Sequence, residues 1–279
     1  MLVNHLPHKI PALVALSRET SAIILSFYQQ SALSIVTKSN DTPLTQADLA
    51  AHQHLHQNLP HIINAPVISE EDENKALCPS LYWLIDPIDG TQAFIEQSGE
   101  FCICIALIYE HRPILSLIYA PISGKYWYAI QGHGSFVADN YQPPKRLQCR
   151  PQKAPLTITA AAHKLSKRMH TLSALLYGEP FHHIPQKSAL KFCQIAEAHA
   201  DLYLKPTNRS SEWDIAAGDL LLQEAGGGLL WIDPQSASLS KPLYGLNTHF
   251  TNPPFIAFGS AFSSSQLQQL AHKILELAQ

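Results

Sequence analysis

The feature that most constrains the fold of this chain is a series of short apolar runs near its middle. The run "LYWLI" (81–85) has the composition of a buried strand. Three further runs follow at 101–109, 113–121 and 125–130, with tight polar links between them. Strands joined by such short links pair with their neighbours along the chain, so this segment predicts an antiparallel meander. A shorter strand is predicted ahead of it, at 65–69.

Two helices are predicted before these strands. Residues 11–31 place apolar side chains at helical spacing. The segment 40–45, "NDTPLT", is predicted to be a loop, because Pro43 and the preceding Asn-Asp pair interrupt regular structure. A second helix is predicted from about Thr45 to Asn58. The first half of the chain is therefore expected to be an α+β unit.

The second half of the chain has a different pattern. A Pro-rich polar stretch at 138–155 is the best candidate for a domain boundary. Beyond it, segments of strand and helix composition alternate, which is typical of α/β folds. The predicted strands are "LTITAAA", "DLYLK" and "LLWID", and the predicted helices cover 164–177, Ser188 to about Ala200, and 214–225. We therefore predict an N-terminal α+β domain over 1–155 and a C-terminal α/β domain over 156–279.

Composition excludes one class of partner. The 279 residues are 46% apolar, which is enough for a sizeable core. Charged residues make up 15% and the formal net charge is −3, with no basic block or stripe along the chain. A nucleic-acid polymer is therefore not expected as a partner. A small phosphorylated ligand remains compatible, because a few well-placed cations suffice to bind it.

The N-terminal region and the cysteines indicate the cellular compartment of the protein. The start of the sequence lacks a basic segment followed by an apolar core, so no signal peptide is predicted. Residues 11–28 are interrupted by Arg18 and Glu19, and we expect no integral membrane segment. The five cysteines form no CxxC pair and are expected to be reduced thiols. These features predict a cytoplasmic protein, monomeric or homodimeric, with peripheral association with the inner membrane left open.

A histidine-rich segment, "AHQHLHQ" (51–57), lies in the second predicted helix. His52 and His56 would share one helix face and could ligate a transition metal. A polar, solvated helix surface is the alternative, and it is favoured because short motifs of this kind often occur without a ligand.

The segment "DPIDGT" (86–91) combines two carboxylates with a tight bend. Asp86 ends a strand, Pro87 fixes the bend, and Asp89 returns its carboxylate toward the same point. Between them, Ile88 can offer its backbone carbonyl. Hard oxygen ligands that converge in this way suit Mg²⁺, which usually shares its coordination with a phosphate. A plain turn with a capping Asp is the alternative that this segment alone leaves equally open.

The residues that close this segment favour an anion near the carboxylates. Gly90 allows the backbone to approach a ligand closely. Residues 91–97 have helical character, so the amides of Gly90 and Thr91 would face an anion from a helix N-terminus.

Three other acidic positions have both a structural and a functional interpretation. The segment "ISEED" (68–72) ends another strand in carboxylates that could reach the same metals. Asp214 begins a predicted helix, where an N-cap is the simpler interpretation. Thr45 and Asp48 fit a capping box, yet Asp48 can lie at a helix start and still face a site.

Together these segments resemble the lithium-sensitive, Mg²⁺-dependent phosphomonoesterases of the inositol monophosphatase superfamily. The matched elements are Lys38, "TPLTQAD", "SEED", "DPIDGT" and "WDIAAGDLLLQEAGG", in the family's order over residues 38–260. "DPIDGT" followed later by "WDIAAG" is far more specific than either half. The resemblance implies the sugar phosphatase fold, a layered αβαβα sandwich, with two to three Mg²⁺ ions.

Within that superfamily the chain looks most like the bacterial 3′(2′),5′-bisphosphate nucleotidases of the CysQ type. The segments "GEFCICIAL", "PILSLIYAP" and "SALKFCQIAEAHADLY" carry this likeness. It implies that metal-activated water removes the 3′-phosphate from adenosine 3′,5′-bisphosphate and leaves AMP, a step in sulfur assimilation. The alternatives are a phosphatase acting on inositol or sugar phosphates, and a catalytically silent protein that binds a nucleotide or a metal.

The resemblance also implies a set of metal ligands. Glu71, the second acid of its pair, resembles a ligand of one ion together with Asp86 and the Ile88 carbonyl. A second ion would be held by Asp86, Asp89 and Asp214, and a third, weaker one by Glu71 and waters.

The implied catalytic pair is Asp48 and Thr91, which would orient and deprotonate the attacking water, so that hydrolysis needs no phosphoenzyme. Lys191 would hold the 5′-phosphate of the substrate. The other implied substrate contacts are Gly90, Thr91, Asp214, Lys38, Ser188 and Lys187.

The chain departs from the family pattern at several positions near the substrate. Gln92 stands where the family has lysine, and Ala161 stands where the nucleotidases are expected to have an arginine. The segment 187–189 reads "KSA" in place of Gly-Ser-Ser. Lys187 and Lys191 lie four apart at the start of the helix predicted from Ser188, on a face away from its apolar stripe, and could together replace the missing arginine at the 5′-phosphate. The metal-site pattern is thus intact, while the nucleotide-site pattern is altered.

Overall fold

The structure is a computed structural model that describes residues 3–28, 35–37, 43–72, 78–151, 155–161, 181–259 and 262–278. Within these residues the chain forms two large β-sheets, a two-stranded ribbon and six α-helices. The helix predicted at 164–177 lies outside them.

The outermost layer on one side is a pair of N-terminal α-helices, α1 (Ile10–Tyr28) and α2 (Gln46–Ile62). A 3₁₀ helix at Val3–Lys9 leads into α1. The apolar stripes of α1 and α2, represented by Leu13 and Leu55, are fully buried against the first large sheet. Helix α2 continues past its predicted end at Asn58, because Leu59 is buried in the same core.

The segment Val3–Tyr28 is long and apolar enough to cross a membrane by length and composition alone. A core helix meets the same criteria, and Leu13, Leu16 and Ile24 of this segment are buried in the core. Arg18 and Glu19, from which we expected no membrane segment, do not take this segment below the limits of length and apolar composition. The burial favours a core helix.

A short ribbon precedes α2. It consists of β1 (Ile35–Thr37) and β2 (Pro43–Thr45), which pair antiparallel. The prediction of a loop over 40–45 is therefore wrong for residues 43–45. Pro43 is the first residue of its strand, a position that a proline can occupy because the missing N–H interrupts no ladder.

The first large sheet has seven strands, which lie in the order of the sequence. They are β3 (Val67–Ser69), β4 (Leu81–Asp89), β5 (Cys102–Tyr109), β6 (Arg112–Ala120), β7 (Lys125–Ile130), β8 (Gly134–Ala138) and β9 (Lys145–Arg146). β3 is parallel to β4, and every later pair is antiparallel. The predicted meander is confirmed, and β9 extends it into the stretch predicted as a boundary.

Alternate residues of the central strands face opposite layers. Trp83, Ile85 and Ile103 join the core formed with α1 and α2. Leu84 and Cys104 join the core on the other face. Because both faces are covered, these strands are apolar at nearly every position.

The remaining elements build the other layers. The helices are α3 (Thr91–Ile95), α4 (Leu190–Ala196), α5 (Glu212–Glu224) and α6 (Ser264–Ala278). The second large sheet has the strand order β11-β10-β12-β15-β13-β14. Its strands are β10 (Thr157–Ala160), β11 (His182–Pro185), β12 (Leu202–Lys205), β13 (Gly228–Ile232), β14 (Leu239–Ser240) and β15 (Phe255–Phe258).

The middle layer consists of α4 and α5. One buried cluster joins Leu221 of α5 with Ile118 of the first sheet and Phe255 of the second. On the far side of the second sheet, Leu270 of α6 packs with Ile256. The layers are thus helix, sheet, helix, sheet, helix, which confirms the αβαβα sandwich. Since the middle core draws on both halves of the chain, the division at residue 155 stays a prediction.

Two helices in this layer begin at other residues than predicted. α4 is shorter than the predicted span from Ser188 to Ala200, because Ser188 and Ala198 have positive φ values of 56° and 63°. α5 begins at Glu212, and its N-cap is Ser211, not the predicted Asp214. Ser211 has the extended backbone that an N-cap requires.

Helix α5 contacts α4 through a glycine. A Cβ at Gly218 would lie 2.3 Å from Cδ2 of Phe192, whose ring is buried. We expect Gly218→Ala to lower the free energy of unfolding by about 1–3 kcal/mol, the usual range for overpacking, measured by denaturant titration. The double variant Gly218→Ala/Phe192→Leu should recover part of this loss, since leucine lacks the colliding ring. Wild-type stability of Gly218→Ala would contradict the packing described.

Candidate active site

Three carboxylates from distant parts of the chain converge on one point. Glu70 follows β3, Asp86 lies in β4, and Asp214 lies in the first turn of α5. Each offers one oxygen within 4.8 Å of the other two. Asp86 is buried and the other two are partly buried. The structure thus brings Asp86 and Asp214 together, as the sequence predicted, and their role as ligands stays a prediction.

The glutamate in this cluster is Glu70, whereas we predicted Glu71. The backbone N–H of Glu70 donates to the Ile85 carbonyl over 3.1 Å, which extends the parallel pairing of Ser69 with Ile85 by one residue. That register sets Glu70 beside Asp86. The chain turns at Glu70 and Glu71, Glu71 is not part of the group, and its charge affects Asp86 less than that of Glu70.

A bulge in β4 sets the positions of the two aspartates of "DPIDGT", which are close enough for the charge of Asp89 to raise the pKa of Asp86, although Asp89 is not one of the three clustered carboxylates. Asp86 pairs with Cys104 and Asp89 pairs with Cys102, so β4 accommodates one extra residue. In a regular strand, residues three apart point to opposite faces. The bulge removes this alternation, and the Ile88 N–H donates to Asp86 Oδ1 at 3.0 Å to hold the bend.

Gly90 lies between this bulge and α3. Its φ is +96°, in the region that glycine adopts readily. A Cβ there would lie 3.1 Å from the Glu100 carbonyl oxygen and 3.2 Å from the Ser188 Cβ. The close approach that requires glycine is therefore made within the protein, at the start of the helix that carries Thr91.

The predicted catalytic pair is in contact. The Thr91 hydroxyl lies 3.3 Å from Asp48 Oδ1 and 3.2 Å from the Ile88 carbonyl oxygen. Asp48 is fully buried, and its Oδ2 accepts from the N–H of Thr45 at 2.8 Å and from its hydroxyl at 2.5 Å. The predicted capping box is therefore present. One carboxylate oxygen of Asp48 serves the cap while the other faces Thr91.

Lys191 lies in the interior, near the carboxylates. Its ammonium donates to the Ser188 carbonyl at 2.5 Å and lies 5.0 Å from the centre of the Tyr203 ring. We predicted that it faces away from the apolar stripe of its helix, and the structure contradicts this, since Lys191 is only 7% exposed. The helix begins at Leu190, so Lys191 belongs to its first turn, and its charge interacts favourably with Asp89.

Lys187 lies outside this helix. Its ammonium pairs with Glu96 Oε2 at 2.5 Å, and the side-chain amide of Gln92 donates to Glu96 Oε1 at 2.8 Å. The prediction that Lys187 and Lys191 share a helix face is therefore wrong. Gln92, which departs from the family pattern, takes part in this surface network.

Lys205 is a charged residue that the sequence analysis missed. It ends β12, and its charge interacts favourably with Asp214 and Asp89. The lysine that closes "DLYLK" was a visible signal, but a charged residue at a strand end is too common to indicate a site. Ala161 is exposed just after β10, and Lys38 lies outside the described residues.

The histidine-rich segment forms no comparable group. His52 and His56 share a face of α2, with ring centres 5.4 Å apart. His52 Nε2 lies 4.0 Å from Asp72 Oδ1. Among the residues that the structure describes, no group of three metal-binding side chains includes them.

Burial raises the pKa values of the clustered carboxyls, and mutual repulsion adds to the effect. The pKa of Asp89 rises to about 6 and that of Asp214 to about 8, and that of Asp86 lies well above its usual value. Burial also lowers the pKa of Lys191. A crowded set of oxygen donors with excess negative charge suits a hard divalent cation. The residues present therefore fit the Mg²⁺ that the resemblance implies.

The five-layered sandwich and its acidic cluster define the class of this protein, a phosphatase of the sugar phosphatase type. More particularly, the chain belongs to the inositol monophosphatase family, whose sequence pattern matches residues 8–276.

Individual relatives agree with this assignment. The chain is 31% identical over 259 residues to the 3′(2′),5′-bisphosphate nucleotidase CysQ of Aggregatibacter actinomycetemcomitans, covering 89% of this chain and 92% of the relative. It is 34% identical over 249 residues to CysQ of Escherichia coli K12, covering 86% and 95%. The crystal structure of CysQ from Bacteroides thetaiotaomicron matches with a TM-score of 0.73 at 25% identity, covering 91% and 98%. The predicted superfamily and the likeness to the CysQ type are confirmed.

The raised pKa values predict how the stability of the metal-free protein depends on pH. Between about pH 4 and pH 8 the folded state keeps protons on these carboxyls that the unfolded state has released, so the free energy of unfolding falls as the pH rises. Asp214→Asn should flatten this fall, mainly toward its upper end. The measurement is the free energy of unfolding, obtained by urea titration of both proteins in the presence of a chelator across this pH range. Burial also raises the pKa values of Asp219 and Glu212. Both residues are present in the wild type and in Asp214→Asn, so they do not cause a difference between the two pH slopes. Identical pH slopes would contradict the prediction.

Proposed function

We propose that this protein is a Mg²⁺-dependent phosphomonoesterase that hydrolyses adenosine 3′,5′-bisphosphate to AMP and phosphate. The observation that carries the proposal is the convergence of Glu70, Asp86 and Asp214, together with the contact of Thr91 with Asp48 and with the Ile88 carbonyl two residues after Asp86. Oxygen donors for a cation, with a separate proton acceptor, are what metal-assisted hydrolysis of a phosphate ester needs. The CysQ-named relatives support the choice of substrate.

The proposed metal ligands differ from the sequence prediction at one position. Glu70, Asp86 and the Ile88 carbonyl would hold one ion, Asp86, Asp89 and Asp214 a second, and Glu70 with waters a third. Glu70 takes the place of Glu71 because it alone of the two joins the cluster. Bound Mg²⁺ lowers the pKa of a coordinated water and stabilises the attacking and leaving oxygens.

Asp48 and Thr91 are proposed to handle the proton of the attacking water. The Thr91 hydroxyl can donate to Asp48 Oδ1 and accept from a water, which would orient that water toward the phosphorus. Asp48 Oδ2 accepts from the N–H and the hydroxyl of Thr45, and Oδ1 is the oxygen that faces Thr91. In this proposal the water is the nucleophile, and no protein side chain attacks the phosphorus.

The buried position of Lys191 changes its proposed role. Rather than holding the 5′-phosphate directly, it would balance the charge of Asp89 and fix its position, as Lys205 would for Asp214. Ser188 and Lys187, which lie just ahead of α4, remain proposed contacts for the substrate, along with the amides of Gly90 and Thr91.

A second candidate substrate class has a specific observation in its favour. Ala161 is exposed and offers no cation where the nucleotidases are expected to have an arginine. Inositol or sugar phosphates, which carry no second phosphate to be held there, are therefore the alternative substrates. A silent binding protein is less favoured, because the contact of Thr91 with Asp48 would then serve no reaction.

We also propose a cytoplasmic location. All five cysteines are free thiols, and four of them are buried, as expected in a reducing compartment. Peripheral association with the inner membrane has no support in the described residues. A monomer and a homodimer are both compatible with the proposal.

The two glutamates provide a matched test of the metal site. We expect Glu70→Gln to lower phosphate release at limiting Mg²⁺ by at least about a hundredfold, the upper range for groups that only orient a ligand, because a charged oxygen donor is lost. Glu71→Gln should retain most of the activity. The comparison uses kcat/KM as a function of Mg²⁺ concentration. The reverse order of the two effects would restore Glu71 as the ligand.

Restoring the missing arginine tests the substrate. With adenosine 3′,5′-bisphosphate, inositol 1-phosphate and AMP compared in a phosphate-release assay, we expect the bisphosphate to be the best substrate of the wild type. Ala161→Arg should raise kcat/KM for the bisphosphate alone by about ten- to a hundredfold, since a hydrogen bond to a charged group contributes roughly 1.5–3 kcal/mol. Ala161→Gln is the uncharged control.

Preference of the wild type for inositol 1-phosphate would refute the nucleotidase proposal and leave the broader phosphatase assignment in place. An equal gain of Ala161→Arg on all three substrates would show that the arginine does not reach the second phosphate.

A further inference from the structure

A second group of metal-binding side chains lies beside the carboxylate cluster, and the charge of one member, Asp89, raises the pKa values of Asp86 and Asp214. It consists of Asp89, Cys102 and Cys104, whose ligand atoms lie within 4.8 Å of one another. The two sulfurs are 3.8 Å apart, and they lie 3.8 Å and 4.0 Å from Asp89 Oδ2. The Ser188 hydroxyl oxygen lies 3.6 Å from the Cys102 sulfur. Two thiols, a carboxylate and a hydroxyl therefore form one compact group.

The register of the sheet produces this group. Cys102 and Cys104 are two apart on β5, so both side chains point to the same face. The bulge in β4 sets Asp89 opposite Cys102 and turns its carboxylate toward that face. Packing alone would be satisfied by any small apolar residue at either position, whereas the chain has a thiol at both.

We propose that Asp89, Cys102 and Cys104 form a binding site for a thiophilic divalent cation such as Zn²⁺. Two thiolates bound at about 2.3 Å to a tetrahedral Zn²⁺ lie roughly 3.8 Å apart, and the two sulfurs here have this separation before any ion binds. Binding replaces two S–H bonds by two sulfur–metal bonds and releases both protons to solvent. The Ser188 hydroxyl or a water completes a tetrahedral set.

The surroundings suit the charge of such a complex. A divalent ion with two thiolates and one carboxylate carries a net charge of −1. The Lys191 ammonium lies close enough to Asp89 and Cys102 for favourable interaction with both. The two cysteines are buried, but Asp89 is partly exposed and gives an ion a way in from the carboxylate cluster.

Disulfide formation is a poorer use of the same two thiols. Residues two apart on a strand have Cα atoms about 6.6 Å apart, near the upper limit of roughly 6.8 Å for disulfides, and the two sulfurs lie 3.8 Å apart where a disulfide bond needs about 2.05 Å. A disulfide would need a distortion of β5 in the middle of a sheet that is covered on both faces. An ion can bridge the sulfurs where they already are.

The consequence for activity rests on the proposed function. Asp89 is also a proposed ligand of the second Mg²⁺, and one carboxylate engaged by a thiophilic ion is drawn away from that site. Occupation of the cysteine site should therefore inhibit phosphate release.

Cadmium is the probe, because Cd²⁺ bound to thiolates absorbs in the ultraviolet. The protein is titrated with Cd²⁺ in excess Mg²⁺ and a non-thiol reductant. We expect the wild type to develop thiolate absorption that saturates at one equivalent, and Cys102→Ala and Cys104→Ala each to weaken Cd²⁺ binding by at least about tenfold, as expected for loss of a ligand. Absence of the absorption in the wild type, or its persistence in the double variant, would overturn the proposal.

Controls separate local from general effects. Cys149→Ala removes a buried thiol outside the group and should leave both Cd²⁺ absorption and basal activity as in the wild type. Circular dichroism checks that each variant is folded. Where an alanine variant does not fold, the corresponding serine variant keeps the side-chain volume closer to that of cysteine.

Inhibition forms a separate arm. The Cd²⁺ concentration that halves phosphate release should rise at least about tenfold in Cys102→Ala/Cys104→Ala, each protein being compared with its own Cd²⁺-free rate. Equal inhibition of both proteins would overturn the competition for Asp89. Absence of phosphatase activity on every substrate would refute the proposed function, and the absorption titration would still decide the metal site.

Discussion

The interaction on which the rest of this structure depends is the repulsion among carboxylates that the fold holds close together. Glu70, Asp86 and Asp214 offer oxygens within 4.8 Å of one another. Left in the interior without balancing charge, such a group would take up protons or force the layers apart. Lys191 and Lys205 supply part of the balance from the second half of the chain. The two lysines do not neutralise all of the carboxylates, and the remaining negative charge can attract cations from solution. The protein's own cations therefore leave part of the negative charge of this cluster unbalanced, as is typical of a site that binds a metal ion.

Helix α5 connects this charge balance to the packing of the whole molecule. It lies between the two sheets, and its buried Asp219 pairs with Arg112 of β6 at 2.9 Å and accepts from the Tyr244 hydroxyl at 3.0 Å. Its buried Glu212 accepts from the Gly245 N–H at 2.6 Å. Buried polar pairs of this kind contribute little net stability but disfavour other registers, because a shift would leave a buried charge unpaired. We infer that they fix the rotation of α5, and hence the direction in which its first turn presents Asp214.

The parts of this arrangement that were predictable from sequence are those set by local spacing. The capping box of Thr45 and Asp48 and the antiparallel meander depend on residues close along the chain, and both are present. The five layers followed from the resemblance, not from the spacing. Which of Glu70 and Glu71 joins the carboxylate cluster could not be read from spacing, because it depends on where the parallel pairing of β3 with β4 ends. The interior position of Lys191 was missed for a similar reason, since it depends on where α4 begins. The end of the β3–β4 pairing and the start of α4 are both set by tertiary contacts, which the periodicity of the sequence does not predict.

The same register explains why two kinds of metal ligand meet at one residue. Asp89 is near enough to Asp86 and Asp214 for its charge to raise their pKa values, and the bulge in β4 sets it opposite Cys102 across the ladder. Oxygen donors favour Mg²⁺ and thiolates favour softer ions. A carboxylate is acceptable to both, so it is the ligand at which the two preferences compete. Replacing either cysteine by a residue without sulfur would leave the hard site with its ligands and remove the competitor. In the proposed assignment, the cysteines would therefore act on the choice of ion at Asp89, whereas the carboxylates would supply the charge that attracts an ion.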